Sequence, residues 1–142
     1  MWEAGDPRRA RRAGGFTLFE VLVILTILGL LDAIAFPSLD RAMRRQAFAE
    51  AAARLERALH GARAGAVRGG APVRFVIAAD RRGFGQGGDM ERLPEEVRAE
   101  ADTGIAFYPD GSASGGRITL ADGAWRRRWA VRPATGAIER LP

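Results

Sequence analysis

Residues Phe16 to Phe36 form a block of 21 residues that is apolar almost throughout, broken by Glu20 near its start and Asp32 near its end. As a helix the block would measure about 31 Å at ~1.5 Å per residue. That length matches a hydrocarbon core of roughly 30 Å. No other stretch of the chain approaches it. Ahead of it lie fifteen short, polar residues that carry Arg8, Arg9, Arg11 and Arg12 and end in Gly14-Gly15. Whatever the chain folds into must give this block somewhere apolar to go.

Three readings of the block compete. A basic segment, an apolar run and a small-x-small site at Ala33-Ile34-Ala35 together describe a secretory signal peptide. The same run also describes a plain single-pass anchor. In a third arrangement the basic segment alone is removed and the apolar run stays in the mature chain. Glu20 weighs on the choice, because a carboxylate inside a membrane helix costs a few kcal/mol and calls for a compensating partner. Asp32 lies at the far end, within reach of interfacial water. The charges flanking the run settle little about orientation, since Arg41, Arg44 and Arg45 follow it closely and nearly balance the arginines before it.

Gly15-Phe16-Thr17-Leu18-Phe19-Glu20 resembles the processing site of the type IV pilin and type II secretion pseudopilin superfamily. The resemblance implies cleavage by a prepilin peptidase between Gly15 and Phe16 and methylation of the new amino group on Phe16. It further implies that Glu20, fifth in the mature chain, pairs with the Phe16 ammonium of a neighbouring subunit. Opposite charges meeting in a low-dielectric bundle offset a cost that neither would sustain alone. Pro37, just past the run, fits the same superfamily. The implied placement is a single pass in the inner membrane, with a cytoplasmic N-terminus and a periplasmic C-terminal domain.

Beyond the anchor a helical pattern continues over residues 37–68. Leu39, Met43, Ala47, Ala51, Leu55 and Leu59 fall four apart, flanked by Phe48, Ala62 and Ala66, which predicts a stripe packed beneath a domain. Gly69-Gly70 followed by Pro72 ends the helix. From Phe16 to Val67 such a helix would reach about 78 Å. Residues 69–142 then supply a β-rich domain. Strands are expected at Val73–Ile77, Ile105–Tyr108, Arg117–Leu120, Trp125–Val131 and Ala137–Glu139, with turns at Asp80–Gly83, Pro109–Gly111, Asp122-Gly123 and Thr135-Gly136. Residues 85–103 read as an acidic loop, with one short helical turn after Pro94. The expected class is α+β: a long N-terminal helix, transmembrane in its first half, whose second half packs against a small antiparallel sheet or sandwich. So small a domain needs apolar surface from that helix.

Composition excludes several functions. The chain has no cysteine, so disulfides and thiolate chemistry are absent. All 22 basic residues are arginine, and the formal charge is +5. Removing residues 1–15 leaves 18 arginines against 15 acids, a mild +3. His60, the single histidine, lacks a partner for catalysis. Asp110-Gly111-Ser112 offers too few oxygen ligands for a calcium loop and reads as a tight turn. The glycines at 83, 85, 87 and 88 precede no helix that would receive a phosphate. No cofactor, metal or catalytic group is indicated, and the chain does not read as an enzyme.

Trp125-Arg126-Arg127-Arg128-Trp129 stands out. Alternation puts Trp125, Arg127 and Trp129 on one face and Arg126 and Arg128 on the other. In the structural reading the tryptophans pack on the helix while arginines snorkel outward. In the functional reading Arg126, Arg127 and Arg128 contact the phosphates of nucleic acid. The run Phe107 to Gly116 with the strands after it is similar to the GspH/FimT branch of minor pseudopilins. That resemblance implies a subunit of the type II secretion pseudopilus, with prepilin peptidase, other pseudopilins of a heteromeric filament and the inner-membrane assembly platform as partners. The alternative within the branch is a FimT-like minor pilin that binds DNA during transformation.

Overall fold

The computed structural model describes residues 15–142, with side chains at all but positions 34, 35 and 37. The segment read as a leader, up to Gly14, lies outside the described residues. One helix, α1 (Leu18–Gly69), is followed by eight strands: β1 (Val73–Ile77), β2 (Gly83–Gln86), β3 (Asp89–Arg92), β4 (Arg98–Ala101), β5 (Ile105–Phe107), β6 (Gly116–Asp122), β7 (Trp125–Val131) and β8 (Ile138–Leu141). The chain divides into two compact units, one ending at Asp40 and the other running from Arg41 to Pro142. The described part of the first is residues 15–17 and α1 as far as Asp40, and its described side chains are all exposed.

The second unit carries two antiparallel sheets of four strands, ordered β3-β2-β1-β5 and β4-β6-β7-β8. A backbone bond from the Ala99 N–H of β4 to the Arg81 carbonyl (2.9 Å) ties the β1–β2 connection to the second sheet, and one from Leu93 N–H to the Arg82 carbonyl (2.8 Å) extends the β2–β3 pairing. Both sheets close on the helix. Phe48, Ala51, Ala52, Leu55, Leu59, Ala62 and Ala66 of α1 join Phe75, Phe84 and Phe107 of one sheet and Ile118, Leu120, Trp129 and Val131 of the other in a single buried cluster. Alanine dominates the helix side of this cluster, and the larger side chains of the sheets fill the space over it. The class is α+β, as the periodicity predicted.

Two expectations are corrected. The stripe on the helix is buried from Phe48 onward, whereas Leu39 and Met43 are 60% and 64% exposed. Residues 85–103 are not a loop, because they hold the end of β2 and all of β3 and β4. Gly87 and Gly88, at φ 58° and 100°, make the two-residue turn of the β2–β3 hairpin, which needs positive φ at both positions. Gly85 is required by the same hairpin, since a Cβ there would stand 1.8 Å from the Asp89 carbonyl oxygen. After Pro94 the chain makes a single turn closed by the Val97 N–H (3.0 Å).

Candidate functional site: the start of the helix and the basic strand

Thr17 caps α1. Its Oγ1 accepts the Glu20 N–H at 3.2 Å, and its carbonyl accepts the Val21 N–H at 3.2 Å. The order Thr17-Leu18-Phe19-Glu20 is the threonine-x-x-glutamate spacing of a capping box. Phe16 and Val21 occupy the two positions of a hydrophobic staple and line one shallow apolar hollow with Leu18, Leu22 and Leu25. This local role of Thr17 was legible in the spacing and was missed in the reading of the motif.

Capping uses only the backbone of Glu20. Its side chain is exposed in the first turn, and no ion pair to it occurs among the described residues. Around it, Phe16, Leu18 and Phe19 are 74%, 86% and 74% exposed. The window of α1 that is long and apolar enough to cross a membrane has a mean hydropathy of 2.4, and none of it is buried within the chain. The arrangement is a carboxylate that has no cationic partner among the described residues, set among large apolar side chains one turn from Phe16.

The strand β7 divides its arginines as alternation requires. Trp129 is fully buried and Trp125 half-buried, its ring 6.2 Å from that of Phe48. Arg127 shares that face, with its guanidinium carbon 6.0 Å above the Phe48 ring, close enough for a cation–π contact. Arg126 and Arg128 are exposed on the other face, where they border a hollow of about 350 Å³ with Arg98, Glu100, Thr119 and Ala121. As a phosphate-binding strip the three arginines are split between two faces of the sheet.

The remaining candidates resolve into structure. Glu56 accepts a bond from Arg140 at 2.6 Å, and that bond holds its carboxyl below the ordinary value against the opposing effect of burial. The Arg140 charge, the Trp129 indole and the His60 ring beside it favour the ionised form further. His60 itself is exposed. The Asp110 carboxylate accepts both the backbone N–H (2.9 Å) and the hydroxyl (2.6 Å) of Ser112, which lowers its pKa and closes a turn. Arg63, missed in the sequence, donates to the carbonyls of Gly111 and Thr135 at 3.4 and 3.0 Å, fastening two loops to the helix. Among the described residues no cluster of three or more histidine, aspartate or glutamate side chains is placed to hold a metal.

Comparison with known proteins decides the family. Residues 51–136 match the family described as Type II transport protein GspH. The chain belongs to the GspH family. Residues 10–36 match the prokaryotic N-terminal methylation motif, a span that takes in Gly15, Phe16 and Glu20. The Type II secretion system protein H of Xanthomonas campestris pv. campestris is 29% identical over 139 residues, covering 84% of this chain and 82% of that protein. Among solved structures, the type IV minor pilin FimU of Pseudomonas aeruginosa superposes with a TM-score of 0.54 at 15% identity, covering 72% of this chain and 91% of FimU. The minor pseudopilin EpsH of the type 2 secretion system of Vibrio cholerae gives 0.50 at 13% identity, covering 65% and 93%. At such identities the two structures speak for the fold alone, and it is the GspH-type fold of a helix packed on antiparallel sheets.

Proposed function

We propose that this GspH-family chain is a minor pseudopilin: a membrane-anchored structural subunit, not an enzyme, that is matured by removal of residues 1–15 and built into a type II secretion pseudopilus. A prepilin peptidase cuts between Gly15 and Phe16, and the amino group of Phe16 is then methylated. Residues 16–36 hold the subunit in the inner membrane before assembly, with residues 69–142 on the periplasmic side. Other pseudopilins and the inner-membrane assembly platform are its partners.

The observation that carries this reading is the Glu20 carboxylate, unpaired among the described residues, in an apolar, wholly exposed stretch of helix. Capping does not require that charge, because the bond to Thr17 Oγ1 comes from the Glu20 backbone. A lone carboxylate in hydrocarbon costs a few kcal/mol. The ammonium that cleavage creates on Phe16 of an adjacent subunit supplies the missing charge.

Glu20→Gln tests the pairing, since glutamine also suits the third position of a capping box and so leaves the helix start intact. The variant is expected to be processed and membrane-inserted yet to fall at least about tenfold in sheared filament fractions, the loss that ~1.4 kcal/mol brings. Filament incorporation equal to that of the parent would overturn the pairing.

A further inference from the structure

We propose that the face of the second sheet turned away from the helix binds an acidic, extended segment of a partner protein, held by Arg98, Arg126 and Arg128. The site lies wholly within the second unit. It depends neither on cleavage at Gly15 nor on Glu20, so each proposal survives the failure of the other.

The register puts the three arginines on one face. Ala121 of β6 pairs with Arg98 of β4 on one side and Arg126 of β7 on the other, and Thr119 pairs with Glu100 and Arg128 in the same way. Residues paired across strands share a face, and alternate residues along a strand point the same way. The intervening Ala99, Leu120 and Trp129 are buried in the core, so these six point away from it. Short side chains floor the middle strand, and long ones rise from the strands on either side, about 10 Å apart at ~4.8 Å per strand. The result is the hollow of about 350 Å³.

The charge of the hollow is positive and uncommitted. Arg126 makes no hydrogen bond or ion pair among the described residues. Arg128 gives one N–H to the Pro142 carbonyl at 2.5 Å, and Arg98 donates to the carbonyls of Glu95 and Val97. None of the three pairs with an aspartate or glutamate among the described residues. Glu100, the one acid of the hollow, is engaged by Arg81 at 2.6 Å.

Carboxylates on an extended peptide suit this hollow better than nucleic acid does. Guanidinium groups bind carboxylates through two parallel bonds, and clusters of arginine recognise acidic motifs. Arg126 and Arg128 repeat at about 7 Å, the spacing of alternate side chains along an extended peptide. The next row of this face is already matched: Arg117 holds Asp102 at 3.2 Å, and Arg132 holds Glu139 at 2.7 Å. Free positive charge therefore meets a short acidic segment rather than a polymer track. Single-stranded nucleic acid also stacks its bases on aromatic side chains, and the register puts Trp125 and Trp129 on the opposite face.

The experiment uses the full chain in a neutral maltoside detergent and a fluorescein-labelled peptide, Gly-Ser-Asp-Thr-Asp-Thr-Asp-Ser-Gly, followed by fluorescence anisotropy. At low salt its affinity is expected to exceed that of the same peptide with asparagine for aspartate by at least about tenfold, and to fall as salt is added. Arg126→Gln combined with Arg128→Gln should weaken binding at least about fivefold, with an unchanged melting temperature reporting an intact fold. Arg68→Gln combined with Arg74→Gln removes the same charge at two exposed arginines elsewhere and should leave affinity within about twofold of the parent. Equal losses in the two double variants, or equal affinity for the aspartate and asparagine peptides, would overturn the site. Tighter binding of an oligothymidylate of equal charge, lost when Arg126 and Arg128 are replaced, would overturn the peptide and make nucleic acid the ligand.

Discussion

Two stretches of the same helix meet opposite fates. From Leu18 to Ala33 every residue of α1 is exposed, and most of them are large: leucine, isoleucine, valine and phenylalanine. From Phe48 to Ala66 one face is buried, and it is built mostly of alanine. Hydropathy therefore does not locate the core of this protein. The most apolar segment is covered by nothing among the described residues, and a long, uncovered apolar surface marks contact with lipid or other proteins. The alanine face is buried in one cluster with Phe75, Phe84, Phe107 and Trp129, aromatic side chains from four of the strands. Size and burial part company along the helix: the bulky residues stay uncovered, and the small ones lie in the core cluster.

This contrast can be broken most severely from the sheet side. Trp129 fills the space over the alanine face, so Trp129→Ala should destabilise the second unit by about 3–5 kcal/mol while membrane insertion persists. Denaturant unfolding of the purified chain beside a carbonate extraction of membranes reads both effects. Loss of insertion together with folding would show that the two stretches are not independent.

A matched pair sharpens the comparison. Leu55 is fully buried and Leu39 is 60% exposed, though they share the apolar stripe. Leu55→Ala should lower unfolding stability by about 3 kcal/mol, and Leu39→Ala by less than ~0.5 kcal/mol. Similar losses at both positions would mean that the domain covers more of the helix than the structure shows.

The smallest effect concerns the polar seam between helix and sheet. Glu56 has its carboxyl pKa lowered by Arg140. A carboxyl lowered on folding stabilises fully above its ordinary value of 4.5 and loses that contribution as pH falls through the lower folded value. With Arg140 half exposed the contribution is at most about 1 kcal/mol. Stability of the parent should thus fall faster than that of Glu56→Gln as pH drops below the ordinary value. Parallel pH profiles for the two would remove the pair from the account.

Much of the fold was written plainly in the sequence. The strands Val73–Ile77 and Trp125–Val131 are short runs rich in β-branched or aromatic residues and bounded by turn residues, and both lie at the expected positions. The β2–β3 hairpin escaped because its strands offer one buried aromatic, Phe84, and an edge strand exposed at every position. Only the Gly87-Gly88 pair marked the turn. Strand β4 hid behind Arg-Ala-Glu-Ala, where alanine is the buried residue and gives almost no alternating signal. Leu39 and Met43 continued the helical stripe in sequence, but periodicity cannot say where the sheets stop. At the helix start the identity of Glu20 was legible, whereas the division of labour between its backbone and its carboxylate emerged only from the Thr17 cap.

The central claim is that Glu20 is tolerated in an apolar setting because maturation creates an amine at Phe16. The most direct measurement is the N-terminal sequence and intact mass of the chain extracted from its native membrane. A chain beginning with N-methylated Phe16 is the result this account predicts. A mature chain that keeps residues 1–15 would contradict it.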